Sequence, residues 1–425
     1  MRDLVISNVQ IVTPTTVLER GSVVVRDGRI VSFLRGRPRR FSDAEEVDGQ
    51  GRFLLPGFID LHNDGIEQEL EPRPTAVFPL SIALASLESQ LVAHGITTIY
   101  HSFAFMDGRE GTVHPQGLEP AIRDVNRLRA AGVIRHLVHA RYEVTETQHV
   151  ERLARLIADG QVNLVSFMDH TPGQGQYRDP AGLVTFYVRK YHARPEDVHQ
   201  LLREREQKAG NPEVPRALET LASHARRAGL RMASHDDDSP EKVAHMRALG
   251  VTISEFPVDM DAAVAASQAG MHVAVGAPNV LRGKSTNGNL DARAAVSRFA
   301  ADILCSDYYS PSMLHAVFGL ARAGVLGLPD AVRMVTFNPA RAAGLADHLG
   351  SLEPGKRADL ILVNASEDAP AVVAAWVGGR RVFEKHDGVL DAHGEQWAAE
   401  AAGARDAPAG ARGPARMKEE AAHAP

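Results

Sequence analysis

The first long apolar run of the chain ends in a histidine and a carboxylate. The stretch "LLPGFIDLHND" (54–64) carries His62 and Asp64 two positions apart, just before the sequence turns acidic. Side chains two apart on a β-strand share a face, so this imidazole and this carboxylate converge. Such a pair either binds a cation or forms an ordinary hydrogen bond at a strand end. Which of the two interpretations applies depends on whether other strands end in similar residues.

Later apolar runs end in the same kind of residue. They read "HARYEV", "SFMDHTPG", "MASHDDD" and "LCSDYY", and they supply Glu143, His170, His235 and Asp307. Burying unpaired carboxylates and imidazoles together is costly unless a counter-charge compensates them. One or two divalent ions would do so, and imidazole with carboxylate suits zinc, manganese or iron better than calcium. The pattern predicts a metal centre built from these six side chains, with Glu143 bridging.

Eight strand-like segments alternate with amphipathic stretches through the middle of the chain. The segments are "FIDLHND", "GITTIYHSF", "IRHLVHARYEV", "VNLVSFMDH", "RMASHDD", "TISEFPV", "HVAVGAP" and "ADILCSDYY". This alternation is typical of an α/β protein with a (β/α)8 TIM-like barrel, in which polar groups at the carboxyl ends of the strands meet at one rim. No Gly-x-Gly-x-x-Gly opens a helix after the first strand, which disfavours a dinucleotide fold.

Both ends of the chain carry short strand-like runs separated by Gly-containing turns. We expect residues 1–54 and 345–388 to pair as one small β-domain and residues 55–344 to form the barrel. Residues 389–425 are mostly Ala, Gly, Pro, Glu and Arg, so we expect them to be a disordered tail. The insert after "SFMDH" should lie above the barrel mouth.

Composition narrows the class of partner. The 425 residues carry a formal net charge of -6 with no basic stripe, which argues against a nucleic-acid partner. No 18-residue apolar run or signal-like segment occurs, so no membrane association is expected. The single cysteine, Cys305, fits a reducing, cytoplasmic compartment and is expected to be a core thiol. A homo-oligomer stays open.

Some polar residues near these strand ends have competing interpretations. Glu255 in "ISEFP" is a rival for a place in the site, and Asp236 would orient a ligand from behind or cap the next helix. His101 and His139 are better explained as core residues or as groups behind the ligands.

The segments that enter and leave the barrel, "LLPGFIDLHND" and "GSLEPGKRADLILVN", resemble those of the amidohydrolase superfamily. The resemblance covers residues 1 to about 385 and implies one or two divalent metals at the barrel mouth. The superfamily usually has His-x-His in the first motif, where Asp64 stands here. It often has a carbamylated lysine as the bridging ligand, a place that Glu143 would take, as in some subgroups.

A narrower resemblance is to the phosphonate-metabolism diphosphatases of the PhnM type. It rests on "LHNDGIEQELEPRP", "HARYE", "FMDHTPGQGQY", "ASHDDDSPEKVAHMRALGVTISEFP", "GAPNVLRGKSTNGN" and "CSDYY". It implies metal-dependent hydrolysis of α-D-ribose 1-methylphosphonate 5-triphosphate to the 5-phosphate and pyrophosphate in the carbon–phosphorus lyase pathway. Gly65 stands where Asn is common in that family, which leaves room for an altered substrate.

A triphosphate requires cations and hydrogen-bond donors besides the metals. The candidates for binding this small phosphorylated substrate are Arg73, Gln174, Asn279, Arg282, Lys284 and Ser285. Asp307 is expected to accept the proton of the attacking water. Two rivals remain: a hydrolase of C–N bonds, such as a deacetylase or cyclic amidohydrolase, and a barrel that serves only as a scaffold. Cleavage of N-acyl or ring amides without pyrophosphate release from ribosyl triphosphates would favour the first, and a stoichiometric metal would argue strongly against the second.

Overall fold

The computed structural model describes residues 3–36, 44–73, 75–106, 117–177, 184–185, 188, 194–283, 289–365 and 369–385. Met1–Glu384 forms one compact unit and Lys385–Pro425 a second. The predicted tail at 389–425 and the predicted substrate residues Lys284 and Ser285 lie outside the described residues.

The described residues form sixteen strands in two sheets. They are β1 (Leu4–Val12), β2 (Val17–Arg26), β3 (Arg29–Arg35), β4 (Glu45–Asp48), β5 (Phe53–Pro56), β6 (Phe58–Asn63), β7 (Ile96–Phe105), β8 (Arg135–Glu143), β9 (Leu164–Met168), β10 (Arg231–His235), β11 (Ile253–Glu255), β12 (His272–Gly276), β13 (Ile303–Cys305), β14 (Leu360–Ala365), β15 (Pro370–Val377) and β16 (Arg380–Glu384).

Strands β6 to β13 are parallel and pair in sequence order, as in a barrel. The first and last of them meet through a bridge between Asn63 and Asp307. There the Asp307 N–H donates to the His62 carbonyl (3.0 Å) and the Asp64 N–H donates to the Asp307 carbonyl (2.9 Å). These eight strands are the ones that the sequence predicts, and the predicted barrel is confirmed.

The terminal strands form a separate, mainly antiparallel sheet in the order β16-β15-β14-β5-β1-β2-β3, with β4 beside β1. A small β-domain built from both chain ends is thus confirmed. The chain passes from this sheet to the barrel at Gly57, where a Cβ atom would lie 2.2 Å from the Thr97 hydroxyl oxygen, so glycine is required there. The predicted domain boundaries themselves stay predictions.

Helices lie between most of the barrel strands. Within the described residues the α-helices are Gly65–Leu70, Leu80–Ala93, Leu118–Leu128, Val150–Ala158, Pro195–Ala209, Val214–Arg227, Pro240–Ala248, Met260–Gln268, Ala277–Arg282, Ala292–Ser297, Ser312–Arg322, Leu328–Arg333 and Phe337–Ala342, and the 3-10 turns are Thr147–His149 and Gly175–Tyr177. None of these helices is long and apolar enough to cross a membrane.

Apolar side chains fill the lower part of the barrel interior. Ile59, Leu61, Tyr100, Leu164 and Ile253 belong to this buried cluster, while a larger one lies between the sheet and the helices. Burial on both faces explains why the strands read as nearly continuous apolar runs. The polar residues that do point inward therefore concentrate at the carboxyl ends of the strands.

Candidate metal centre

Imidazoles and carboxylates from five strand ends meet at the carboxyl rim of the barrel. Three groups each bring ligand atoms within 4.8 Å of one another: His62, His235 and Glu255; His170, His235 and Asp236; His62, Asp64 and Asp307. His62 and His235 each belong to two of these groups. The groups therefore form one continuous cluster rather than separate sites.

Several buried ligand atoms of this cluster have no hydrogen-bond partner among the described residues. They are His62 Nδ1, His235 Nδ1, Asp236 Oδ2 and both carboxylate oxygens of Glu255. His235 Nδ1 and Asp236 Oδ2 lie 3.0 Å apart and can pair with each other. The Glu255 oxygens lie 3.5 and 3.8 Å from the nearest imidazole nitrogens, and buried polar groups are almost always paired, so a cation would compensate the charge of Glu255. Nitrogen and carboxylate oxygen donors suit zinc, manganese or iron. The residues therefore fit one or two divalent ions.

Glu255 has the most buried carboxylate of the cluster. Its oxygens lie 3.5 Å from His62 Nδ1 and 3.8 Å from His139 Nε2. Burial alone would raise the pKa of Glu255, but the imidazoles of His139 and His62 lower that pKa to about 2. Glu255 is therefore ionised and faces the cluster.

Strand β8 sends three polar side chains into the barrel, because His139, Arg141 and Glu143 are spaced two apart and share a face. His139 lies lowest, with Nδ1 3.1 Å from the Leu61 carbonyl. Arg141 lies next, and Nη1 and Nη2 donate to Asp64 Oδ1 (3.2 Å) and His235 Nε2 (3.3 Å).

Glu143 lies highest in this row, and its oxygens already have partners. Oε2 lies 2.8 Å from His170 Nδ1, while Oε1 accepts hydrogen bonds from the His170 N–H and the Thr145 hydroxyl, each 3.2 Å. On the other side of the ring, His170 Nε2 lies 3.8 Å from Asp236 Oδ2. Glu143 thus orients His170 from behind, and the three groups above contain Glu255 rather than Glu143. The bridging role expected for Glu143 stays a prediction.

Asp307 is held by hydrogen bonds between the first and last barrel strands. The buried Asp60 carboxylate accepts from the Ser306 N–H (3.1 Å) and the Ser306 hydroxyl. The Asn63 amide donates to the hydroxyls of Ser306 (2.6 Å) and Ser310 (3.1 Å). Burial, followed by the charge of Asp64, raises the pKa of Asp307 to about 6.

Three of the nine described non-glycine residues with positive φ lie at this rim. Asp236, Phe256 and Asp307 have left-handed φ values of 54°, 53° and 58°, and each lies just beyond a barrel strand. Residues other than glycine rarely adopt such conformations, and those that do cluster at functional sites. The ring of Phe256 meets the imidazoles of His62 and His235 edge to face, with centroids 4.9 and 5.4 Å away. Phe256 therefore packs against the two histidines that the groups share.

The predicted substrate residues are more dispersed. Arg73 is exposed in a turn with Ala76, and no described hydrogen bond or ion pair joins it to the cluster. Arg282 is exposed in the last turn of its helix, and Gln174 is half-buried beside Gly175, whose N–H donates to Asp238 (2.8 Å). Asn279 follows β12, and its buried Oδ1 has no partner among the described residues. Their substrate-binding roles stay predictions.

Sequence reasoning left three residues outside its chosen site: Glu255, Asp236 and Arg141. Glu255 is the last residue of a short buried strand, Ile253–Glu255. Its position at a strand end is the same signal that led the sequence analysis to Asp307. Asp236 directly follows His235. Arg141 was detectable only through its two-residue spacing between His139 and Glu143.

Comparison with known proteins agrees with this geometry. Residues 53–382 match the amidohydrolase family. The alpha-D-ribose 1-methylphosphonate 5-triphosphate diphosphatase of Escherichia coli (strain K12) is 36% identical over 384 residues, covering 89% of this chain and 100% of the relative. An adenine deaminase of Desulforamulus reducens is 24% identical, covering 85% of this chain and 54% of the relative. The structure of N-acetylglucosamine-6-phosphate deacetylase from Pasteurella multocida superimposes with a TM-score of 0.62 at 14% identity, covering 90% of this chain and 100% of the other, a likeness of fold.

Proposed function

Because this chain belongs to the amidohydrolase family, we propose that it hydrolyses α-D-ribose 1-methylphosphonate 5-triphosphate to the 5-phosphate and pyrophosphate in phosphonate catabolism. The observation that carries this assignment is the 36% identity to the E. coli diphosphatase, which spans 89% of this chain and the whole of the relative. It supports the activity expected from the sequence over hydrolysis of a C–N bond.

The cluster at the barrel rim supplies the residues for a metal-dependent reaction. One or two divalent ions, which we propose to be zinc, manganese or iron, would be held by the residues of this cluster. These are His62, Asp64, His170, His235, Asp236, Glu255 and Asp307. When bound, such an ion acts as a Lewis acid and lowers the pKa of water towards neutrality. The side chains would accept the proton of the water and bind the substrate.

Asp307 is the proposed base. A carboxylate oxygen of Asp307 would accept the proton of the attacking water. Asp60 and Asn63 bind Ser306 and so link the segment before Asp307 to the first strand. Glu143 holds the His170 ring in one orientation.

The predicted substrate residues are carried forward as part of this proposal. Arg73, Arg282 and Lys284 would bind phosphoryl oxygens, with Gln174, Asn279 and Ser285 as hydrogen-bond partners. Helix Pro195–Ala209 contacts the segment just beyond β8, since Lys208 donates to Glu146 (2.8 Å). A cytoplasmic location and a homo-oligomer stay predictions.

The test is pyrophosphate release from ribosyl and nucleoside triphosphates by the purified, metal-analysed protein. Asp307→Asn should lower kcat on the order of a hundred-fold or more. Asp330→Asn, at an exposed position on a distant helix, is the matched control and should leave kcat unchanged. Cleavage of N-acylated sugars or cyclic amides without any pyrophosphate release would refute the proposal and favour a C–N hydrolase.

A further inference from the structure

Arg141 is a buried cation inside a cluster suited to binding cations. It lies on β8 with only 9% of its surface exposed. Its Nη1 donates to Asp64 Oδ1 at 3.2 Å and its Nη2 to His235 Nε2 at 3.3 Å. Both contacts are long for charge-assisted hydrogen bonds, which usually lie nearer 2.8 Å. The guanidinium is therefore held in place but not fully satisfied.

The hydrogen-bonding capacity of Arg141 exceeds what the protein supplies. A guanidinium has five N–H donors in a planar fork, and it accepts none. Its buried Nε has no acceptor among the described residues. An unsatisfied buried donor on a charged group is costly, so the Arg141 guanidinium keeps hydrogen-bonding capacity that the described residues do not use.

Its neighbours show where that anion would lie. Asp64 and His235 are both candidate metal ligands, and Arg141 touches each of them. An anion bound to this guanidinium would therefore lie beside both of these candidate ligands. Arg73 and Arg282 are, by contrast, exposed residues. Of these three cations, Arg141 is the one that contacts candidate metal ligands and so lies where the reacting phosphoryl group of a substrate would bind.

We propose that Arg141 binds a phosphoryl oxygen of the substrate's polyphosphate group at the metal centre. This inference rests on the proposed function and names a further binding residue for it. The guanidinium fork matches two phosphate oxygens at once, which an ammonium does not. Because charge develops on the phosphoryl oxygens as the pyrophosphate leaves, the same contact stabilises the departing group.

The alternative role for Arg141 is to balance the charge of the acidic cluster and to keep Asp64 and His235 in place. The two roles differ in what a substitution changes. A group that binds the anion affects pyrophosphate affinity and leaves the metal in place, whereas a group that supports the ligands affects metal content first.

The experiment measures the binding of inorganic pyrophosphate to the metal-loaded protein by calorimetry, together with metal content and folding by circular dichroism. Arg141→Met should bind pyrophosphate roughly ten- to a hundred-fold more weakly at unchanged metal content, since one charge-assisted contact is lost. Arg141→Lys, which keeps the charge but loses the fork, should bind roughly ten-fold more weakly. Arg155→Met, at a residue whose side chain is 64% exposed, is the control and should match the wild type.

Wild-type affinity in Arg141→Met, or loss of metal in both variants, would overturn the inference. If Arg141→Met does not fold, Arg141→Lys decides, and wild-type affinity in that variant overturns it as well. Failure of the proposed function looks different: the wild type would bind pyrophosphate through Arg141 and yet release none from any triphosphate.

Discussion

Glu255 and Glu143 are the two acidic residues whose roles the structure distinguishes most clearly, and one pair of substitutions tests the distinction. Glu255→Gln removes a charge whose oxygens face His62 and His139 without hydrogen-bond donors from the described residues. Glu143→Gln changes a carboxylate already bonded to His170 and Thr145. We expect the first to weaken metal binding much more than the second.

The magnitude follows from Coulomb's law. A unit charge roughly 5 Å from a divalent ion contributes roughly 7 kcal/mol at an effective dielectric constant of about 20. Desolvation of the buried carboxylate cancels part of this. About 3 kcal/mol remains, which is a roughly hundred-fold rise in Kd. For Glu143→Gln we expect roughly ten-fold, because an amide oxygen at that position still accepts hydrogen bonds.

The assay is competition for zinc or manganese with a chromophoric chelator, followed by metal analysis after gel filtration. Circular dichroism confirms that each variant is folded. Glu219→Gln, at a half-exposed helix position, is the charge-matched control and should keep wild-type affinity. If Glu143→Gln loses metal while Glu255→Gln retains it, the reasoning is refuted, and the sequence-based assignment of Glu143 as bridging ligand is the better one.

Two further predictions concern residues around the centre. Asn63→Ala removes the amide that joins Ser306 and Ser310 beside Asp307, so kcat should fall roughly ten-fold with little change in KM; steady-state kinetics with unchanged kcat would contradict this. Burial, then the charge of His136, holds the pKa of His101 well below 6.5. The folded state therefore keeps His101 neutral while the unfolded chain takes up a proton, and stability is lost as pH falls below about 6.5, at up to roughly 1.4 kcal/mol per pH unit. Urea unfolding of His101→Gln between pH 7 and 5 should show a shallower acid slope, and an unchanged slope would exclude His101 as its source.

Much of the site could be predicted because a parallel barrel brings strand ends together. His62, Asp64, His170, His235 and Asp307 each follow an apolar run, and knowing the run and its direction is enough to assign such a residue to the rim. Glu143 satisfies the same criterion but lies behind His170. Strand-end position therefore predicts the rim and does not predict which side of a neighbouring ring a carboxylate occupies.

The sequence by itself determines the order and type of the elements, the pairing of both chain ends in one sheet, and the family. These features depend on patterns of apolar residues and on short motifs. The ligand groups, the partners of Glu255 and the inward position of Arg141 are decided only by the tertiary structure. They depend on how eight strands are staggered around a closed sheet, and a shift of one residue in that register turns a side chain from the centre to the outer face.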